Sequence, residues 1–459
     1  ETKIVRPEVL AGFQDYLSAR MLAWQSVVAK IQQVYEAFGF LPLDTPCMER
    51  WDVLTGGEDP DKSIYKARIV RGKEDRGEDV QDPGDSTLRF DLTVSLARLV
   101  AFHSEIPKPF KRYQIGKVWR GEKPQQGRFR EFVQFDIDTI GSRSMLADTE
   151  IIQIMDAVMR KLEIADFQIN INNRKILTGL AEVVGCAESI NDLCRILDKV
   201  GTLGIGGVVQ ELTDPKTKSA FEDKLKLVAE QAEIVKQFLS LEGGVEELLA
   251  GVESLFGGKS GRGTEGVSEL REIAGNLDAL GISRDVWKVD LSVARGLGYY
   301  TGPVFETVLT EARELGSVFS GGRFDGLTNR FLAGSNVPGV GASVGVDRLI
   351  TALEQRKALA VRKSTAEVLV TVFTADLATA SLKLADRLRK QGFNVELHVG
   401  DVPIGAQIGY AVKQEIPFVV VLGPDEVREG VVALKTIRSR GQEKLTEAEC
   451  CARIRSGLA

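Results

Sequence analysis

The sequence predicts an α+β body interrupted by a helical module and followed by a separate α/β tail. Three observations carry that prediction. The stretch VWRGEKPQQGRFREFVQFDID, Val118 to Asp138, alternates apolar and polar residues at both ends around a turn-rich centre, as two antiparallel strands joined by a long loop do. From Ile176 to about Gly281 the chain turns rich in Leu, Glu, Lys and Ala at helical spacing. Beyond a charged linker, Lys357 to Thr365, the segments EVLVTVF, FNVELHV and PFVVVLG alternate with helical stretches, the pattern of a parallel β-α-β-α-β unit.

Each element follows in order. Ala19 to Phe38 carries apolar residues at spacings of three and four, a long amphipathic helix that Gly39 stops. FLPLDTPCME is extended and broken by Pro42 and Pro46. Arg71 to Ser86 is charged and Gly-rich, a loop or hairpin tip, and STLRFDLTVSLARLVAFH is a short strand entering a helix. After the arginine-rich hairpin come a helix over Asp148 to Leu162 and a strand FQININN. The helical module has Gly breaks expected at 205–207, 243–244 and 257–263. Strands return in VWKVDLSVA, GPVFETVL and GSVFSGG, and a helix begins near Val346.

Composition narrows the function classes. A chain of 459 residues predicts two or three domains. No run of eighteen apolar residues occurs, so no membrane-spanning helix is expected. The N-terminal stretch lacks the apolar centre of a secretory signal, and a chain opening on Glu1 is expected to be a processed or trimmed start. The five cysteines (Cys47, Cys186, Cys194, Cys450, Cys451) are scattered, which suits a reducing compartment and neither a disulfide frame nor a zinc site. His103 and His398 are the two histidines and neither has a ligand set nearby, which argues against histidine-held metal and a Ser-His-Asp triad. The net charge of −6 argues against a generally sticky nucleic-acid binder. One positive island stands out: Glu105 to Glu131 holds eight Lys/Arg against three Glu.

Five stretches carry chemistry. In the hairpin, Lys117, Arg120, Lys123, Arg128 and Arg130 precede Asp136 and Asp138. Arginine offers a planar fork of donors that fits phosphate oxygens in pairs, so Arg120 and Arg128 are expected to grip phosphates and Phe132 to stack on a base. The plainer alternative is a solvated charged hairpin. ARGLGYYTGPVFE, Ala294 to Glu306, sets Arg295 and a tyrosine pair between glycines. SGGRFDGL, Ser320 to Leu327, puts two glycines between strand and helix, suited to close packing beneath a ligand or to a plain turn. PGVGASVGVDRLI, Pro338 to Ile350, has GxGxxxG spacing with no strand-helix-strand unit and ribose-binding acid after it. A dinucleotide fingerprint is therefore rejected, and a Gly-rich strand running into a helix that carries Arg348 is expected instead. In LRFDLT, Leu88 to Thr93, Asp91 and Thr93 are candidates for an ammonium group, with a helix N-cap the alternative for Asp91.

The set and order of these stretches resemble the three motifs of class II aminoacyl-tRNA synthetases, and RGLGYYTG and SGGRFDGL resemble the two signatures of the histidyl-tRNA synthetase family. AGFQDYL and LRFDLT match that family too, its anticodon-binding domain is similar to the tail, and the resemblance covers essentially the whole chain. It implies an antiparallel six-stranded sheet with flanking helices, a helical insertion and a C-terminal α/β anticodon-binding domain. The implied boundaries are catalytic core 1–175 and 285–358, insertion 176–284 and anticodon-binding domain 366–459. It implies a cytoplasmic homodimer, with the first helix and the Pro46 segment at its interface, that uses ATP, Mg2+ held through ATP phosphates, L-histidine and tRNA(His). By residue, Arg120 holds the α-phosphate, Glu122 reads the adenine side, Phe132 stacks on adenine with Arg348 on the far face, and Arg128 joins the phosphate group. Asp91, Thr93 and Gln134 surround the ammonium, Asp138, Tyr300 and Tyr299 line the imidazole pocket, and Arg295 sits by the carboxylate and α-phosphate. Arg120 and Arg295 are the catalytic cations. Gly298 departs from the family, which usually has an acid there, and the loop KPQQG is its own. Rival expectations are a non-catalytic regulatory relative that senses histidine, another class II synthetase, and a nucleic-acid-binding module. Arg120, Arg128, Arg295, Arg348 and the tail favour the enzyme over the first.

Overall fold

Alternation along the strands separates a polar face from an apolar one in the main sheet, and that separation positions everything else. The computed structural model describes residues 5–56, 63–67, 86–125, 127–214, 225–294, 298–334, 336–356, 359, 362–439 and 441–458. In chain order the first elements are α1 (Ser18–Ala37), β1 (Leu41–Pro42), β2 (Met48–Arg50), α2 (Trp51–Thr55), β3 (Ser86–Leu88), α3 (Thr93–Phe102), β4 (Phe110–Trp119), β5 (Glu131–Ile140), α4 (Met145–Lys161) and β6 (Phe167–Asn173). Helices α5 (Arg174–Val184), α6 (Ile190–Leu197), α7 (Val200–Thr213), α8 (Ala229–Leu239), α9 (Val245–Phe256) and α10 (Gly261–Ala279) follow, then β7 (Trp287–Val289), β8 (Pro303–Leu309), β9 (Ser317–Arg323), β10 (Gly339–Gly345) and α11 (Val346–Gln355). The chain clusters into two units, Glu1–Gln14 with Val27–Arg356, and Asp15–Ser26 with Lys357–Ala459.

Among the described residues the main sheet has eight strands in the order β1-β4-β5-β10-β9-β8-β6-β7, where six were expected. The six inner strands are antiparallel to their neighbours. The two extra strands are short and parallel: Leu41–Pro42 beside β4 and Trp287–Val289 beside β6. Pro42 has no N–H to extend a ladder, and β7 returns to β6 only after the long crossover through α5–α10 that a parallel pair requires. Neither strand is long enough to show an alternating pattern. Of the expected breaks in the helices, the one at 205–207 falls at Gly204, whose φ of 68° and ψ of 171° kink α7.

The apolar face carries Phe135, Ile137, Phe305, Phe319, Val340 and Val344, all essentially buried. Helix α4 lies against it with Ile151, Ile154, Met155 and Val158, and Tyr35 of α1 stacks edge-on to Phe135 at 4.8 Å. Local signals set the helix starts: the side chains of Ser144, Asn173 and Ser260 accept backbone N–H groups at the N-termini of α4, α5 and α10. Asp347 of α11 accepts the Val133 N–H at 2.7 Å and so ties that helix to β5.

The second unit comprises β11 (Val368–Val370), α12 (Ala378–Lys390), β12 (Val395–Leu397), α13 (Ile404–Lys413), β13 (Phe418–Val421), α14 (Pro424–Glu429), β14 (Val432–Thr436), β15 (Gly441–Leu445) and α15 (Glu447–Leu458). Strands β12, β11 and β13 are parallel, as the alternating pattern predicts. Strands β14 and β15 extend the sheet antiparallel, so the sheet is mixed. Gly430, in the left-handed conformation, turns the chain back after α14, and the exposed residues GQEKL of β15 show no alternation that would mark a strand.

One buried ion pair pins the body together. Arg323, ending β9, donates Nε to Asp148 Oδ1 at 3.1 Å, and both groups are almost fully buried. It also donates to the carbonyl of Ser142 at 2.9 Å and to Asp325 at 3.2 Å. Removing one partner of such a pair strands a charge. Arg323→Met is expected to destabilise the full chain by about 3–5 kcal/mol, and Arg323→Met with Asp148→Leu to recover most of the loss. Thermal denaturation of the three proteins measures this.

Candidate active site

The polar face of the main sheet is built in rows across the strands. Register places Arg112, Asp138, Gly341, Gly322 and Val304 side by side, and beside them Gln114, Asp136, Ser343, Ser320 and Glu306. Because side chains alternate, Gln134, Asp136 and Asp138 of β5 share this face. Glycines lower the floor between them. A Cβ on Gly341 would come within 2.0 Å of Asp138 Oδ1, and one on Gly322 within 3.0 Å of the Tyr300 ring.

Three carboxylates are buried here: Asp91, Asp136 and Asp138, each 2% exposed or less. Asp91 lies in the turn before α3. It accepts the Val94 N–H at 3.1 Å, so it caps the helix, and it also accepts the Tyr299 hydroxyl at 3.3 Å. Burial pushes its carboxyl above the usual range, opposed by the Val94 N–H, Arg120, Tyr299 and Arg330. Burial also pushes Asp136 and Asp138 up, and their mutual repulsion adds to the effect on Asp138, while the Arg112 guanidinium pulls both down. Tyr299 and Tyr300 pack edge to face at 5.0 Å. Burial first, and then the neighbouring carboxylates, drive both phenols upward, so they stay protonated and act as donors. The Thr93 side chain, at the first residue of α3, pulls the Tyr299 phenol the other way.

Gln134 donates to Ser343 Oγ at 2.8 Å. Its Oε1, together with Asp136 Oδ1, is buried and accepts no hydrogen bond from the described residues. Buried acceptors without partners mark a place where a ligand rich in N–H donors fits.

The arginines lie at the end of the same hairpin. Arg120, just past β4, donates Nε to the Phe90 carbonyl at 3.0 Å, and its guanidinium stands 5.0 Å over the Phe132 ring. Glu122 and Arg128 pair with each other in the loop. Arg348, in the first turn of α11, donates to the Ser317 carbonyl at 2.5 Å. Arg295 lies outside the described residues. Among the described residues no three His, Cys, Asp or Glu side chains converge to cage a metal.

Sequence reasoning missed Arg112, Ser343 and the buried Arg89. Arg112 is fully buried with Nη2 2.7 Å from Asp138 Oδ2. Arg89 donates to the carbonyls of Thr45 at 2.6 Å and Lys117 at 3.0 Å, joining the Pro-broken segment to β4. The available signal was alternation in FKRYQIG, which sets Arg112 and Gln114 on the face of Asp136 and Asp138.

Gly341→Ala is expected to cost about 1–3 kcal/mol, because its methyl meets Asp138 and the Ile137 carbonyl. Gly275→Ala, inside α10 with nothing within 4 Å of the added carbon, is expected to raise stability by about 0.5–1 kcal/mol. Thermal unfolding of both variants checks the contrast.

Comparison with known proteins agrees with this geometry. The family model described as histidyl-tRNA synthetase matches residues 12–349, and the anticodon binding domain model matches residues 367–456. A relative from Rhodopirellula baltica named histidine–tRNA ligase is 39% identical over 440 residues, 95% of each chain. One of the same name from Wolinella succinogenes is 39% identical over 462 residues and the whole of both chains. The crystal structure of histidyl-tRNA synthetase from Nostoc sp. PCC 7120 superposes with a TM-score of 0.81 at 31% identity, covering 99% of this chain and all of that one. With its sheet, its buried acidic face and these matches, the chain belongs to the histidyl-tRNA synthetase family.

Proposed function

We propose that this chain activates L-histidine with ATP and transfers the histidyl group to the 3′ end of tRNA(His). The observation that carries the reading is the polar sheet face: three buried carboxylates and an unpartnered Gln134 oxygen, bordered by Arg120. An amino acid bearing an ammonium and an imidazole supplies the donors such a face lacks. Asp91, Thr93 and Gln134 hold the ammonium. Asp138 accepts from one imidazole nitrogen and Tyr300 donates to the other, with Tyr299 bracing the pair. An imidazole offers one donor and one acceptor, and a site built to meet both strongly rejects side chains that leave them unpaired.

In the first step a carboxylate oxygen of histidine attacks the α-phosphorus in line. The new C–O–P bond forms as the bond to pyrophosphate breaks. No protein nucleophile is needed. Charge builds on the α-phosphate oxygens, so cations set in place beforehand lower the barrier most. Arg120 and Arg295 take that role. Phe132 stacks on adenine, Arg348 lies on its far face, Glu122 reads the adenine side and Arg128 joins the phosphates. Mg2+ would bind the phosphates and neutralise part of their charge. In the second step the terminal ribose hydroxyl of tRNA attacks the histidyl carbonyl and AMP departs. A non-bridging oxygen of the adenylate phosphate takes the hydroxyl proton.

The proposed division is a catalytic core of 1–175 and 285–358, an insertion over 176–284 and an anticodon-binding domain over 366–459. The α/β fold of the second unit and the anticodon-binding family match support a role on tRNA. We also propose a cytoplasmic homodimer joined through α1 and the Pro46 segment. Among the described residues no helix is long and apolar enough to cross a membrane.

ATP–pyrophosphate exchange with each of the twenty amino acids tests the proposal. Exchange with histidine alone is expected, and Arg120→Ala and Arg295→Ala should each lower kcat by about a hundredfold or more. Histidine binding by calorimetry without exchange for any amino acid would leave a histidine sensor in place of the enzyme.

A further inference from the structure

The buried Arg112 lies beneath the pocket and is not expected to touch a substrate. Its Nη2 lies 2.7 Å from Asp138 Oδ2 and 4.0 Å from Asp136 Oδ2. The guanidinium is held from two sides. Nη1 donates to Gln114 Oε1 at 3.3 Å, and Nη2 reaches the carbonyl of Leu92, between Asp91 and Thr93, at 3.4 Å. Gln114 is itself fixed by Asp44 at 2.9 Å and Thr45 at 3.0 Å. With one carboxylate oxygen of Asp138 on Arg112, the other lies over Gly341, where no side chain stands.

We propose that Arg112 is a positioning residue that favours the charged form of Asp138 and turns its second oxygen toward the imidazole of histidine. The proposal rests on the reading of Asp138 as the imidazole acceptor. The physical need is clear from the surroundings. Asp138 faces Arg112 from β4, Asp136 on its own strand, Asp91 before α3 and the Tyr300 phenol before β8, while Arg120 acts on Asp136 and Asp91. Two carboxylates two residues apart on one buried strand face repel each other, and burial disfavours both charges. Even with the guanidinium in place burial holds Asp138 up to about 7, and without it Asp138 keeps its proton through neutral pH. It then presents an O–H where the imidazole N–H needs an acceptor.

The sign of each change follows. Removing Arg112 raises the pH at which Asp138 ionises, and removing the Asp136 charge lowers it. The substrate imidazole titrates too, but identically for every variant, so differences between variants report the enzyme. Histidine-dependent ATP–pyrophosphate exchange by the full-length protein is measured from pH 5.5 to 9. Arg112→Gln is expected to raise KM for histidine about tenfold or more, as follows when Asp138 ionises about one pH unit higher. KM for ATP should stay constant and kcat should change far less. The acid limb of kcat/KM should move to higher pH. Asp136→Asn, a near-isosteric change, should move that limb to lower pH, and the double variant should return it toward wild type. A purely structural Arg112 predicts a lower Tm and lower kcat together, no movement of the limb in Arg112→Gln and a double variant whose limb matches that of Asp136→Asn, and that result overturns the proposal. Should Arg112→Gln fail to fold, Asp136→Asn decides alone: an unmoved limb refutes it. Asp138→Asn separates the two levels. If it leaves KM for histidine unchanged, the reading of Asp138 itself is wrong. If KM rises while the other two variants behave as wild type, only the role of Arg112 falls.

Discussion

Burying three carboxylates together, two on one face of a β-sheet and one in the turn before α3, is the constraint on which the rest of this site depends. Each ionised carboxylate loses hydration, and an isolated one would simply stay protonated. The protein offsets that loss with particular groups: Arg112 against Asp138, the Ser343 hydroxyl and Arg112 against Asp136, and the Val94 N–H and Tyr299 hydroxyl against Asp91. Well-packed apolar residues in the same places would often be neutral or stabilising. The polar face therefore makes sense as a feature kept for binding, with the apolar face and α4 providing the stability that it forgoes.

The same logic explains the glycines. A sheet face that must hold a flat polar ligand against its own side chains needs missing side chains as much as present ones. Gly341 gives Asp138 Oδ1 its place, and Gly322 gives the Tyr300 ring its place. Both glycines sit in the row that begins with Arg112 and Asp138. Cation, acid and vacant floor are thus set by strand register. A one-residue slip of β5 would send its acids to the opposite face.

How much of this was legible in the sequence follows from the kind of signal each feature leaves. The long strands β4 and β5, the helices α1 and α4 and the alternating tail announce themselves by periodicity. Strands β1 and β7 are too short to have a period, and β15 is exposed along its first four residues with no alternation. Tyr299, Tyr300, Asp91 and Asp138 stand in unusual Gly-rich or charged stretches, and that sets them apart. Arg112 stands in a hairpin full of exposed cations, where alternation gives its face but not that it has no exposed surface. Its role exists only through pairing with residues 24 and 26 positions away, Asp136 and Asp138. Arg323 shows the converse: it lies in a signature stretch, yet its charge is committed to Asp148, 175 positions distant.

The arginines differ in how readily they can change partners, and the difference orders their work. Arg323 and Arg112 are buried against buried acids, so releasing either would strand a charge, and they belong to the scaffold. Arg128 is half exposed and paired with Glu122 in a loop, where solvent-screened pairs are worth at most about 1 kcal/mol. A phosphate can displace Glu122 from it at little cost. Arg120 stands between these cases. A neutral carbonyl, that of Phe90, orients it through Nε, and the Phe132 ring supports its face, so a neutral partner aims it while the buried Asp91 and Asp136 act on it from further off. That is the electrostatic condition for stabilising charge that appears only as a reaction proceeds, since a preset cation need not reorganise when the charge arrives. On the proposed reading the hairpin would divide its labour by depth: cations at its buried end would prepare the carboxylates for the amino acid, and cations at its open end would meet the phosphates.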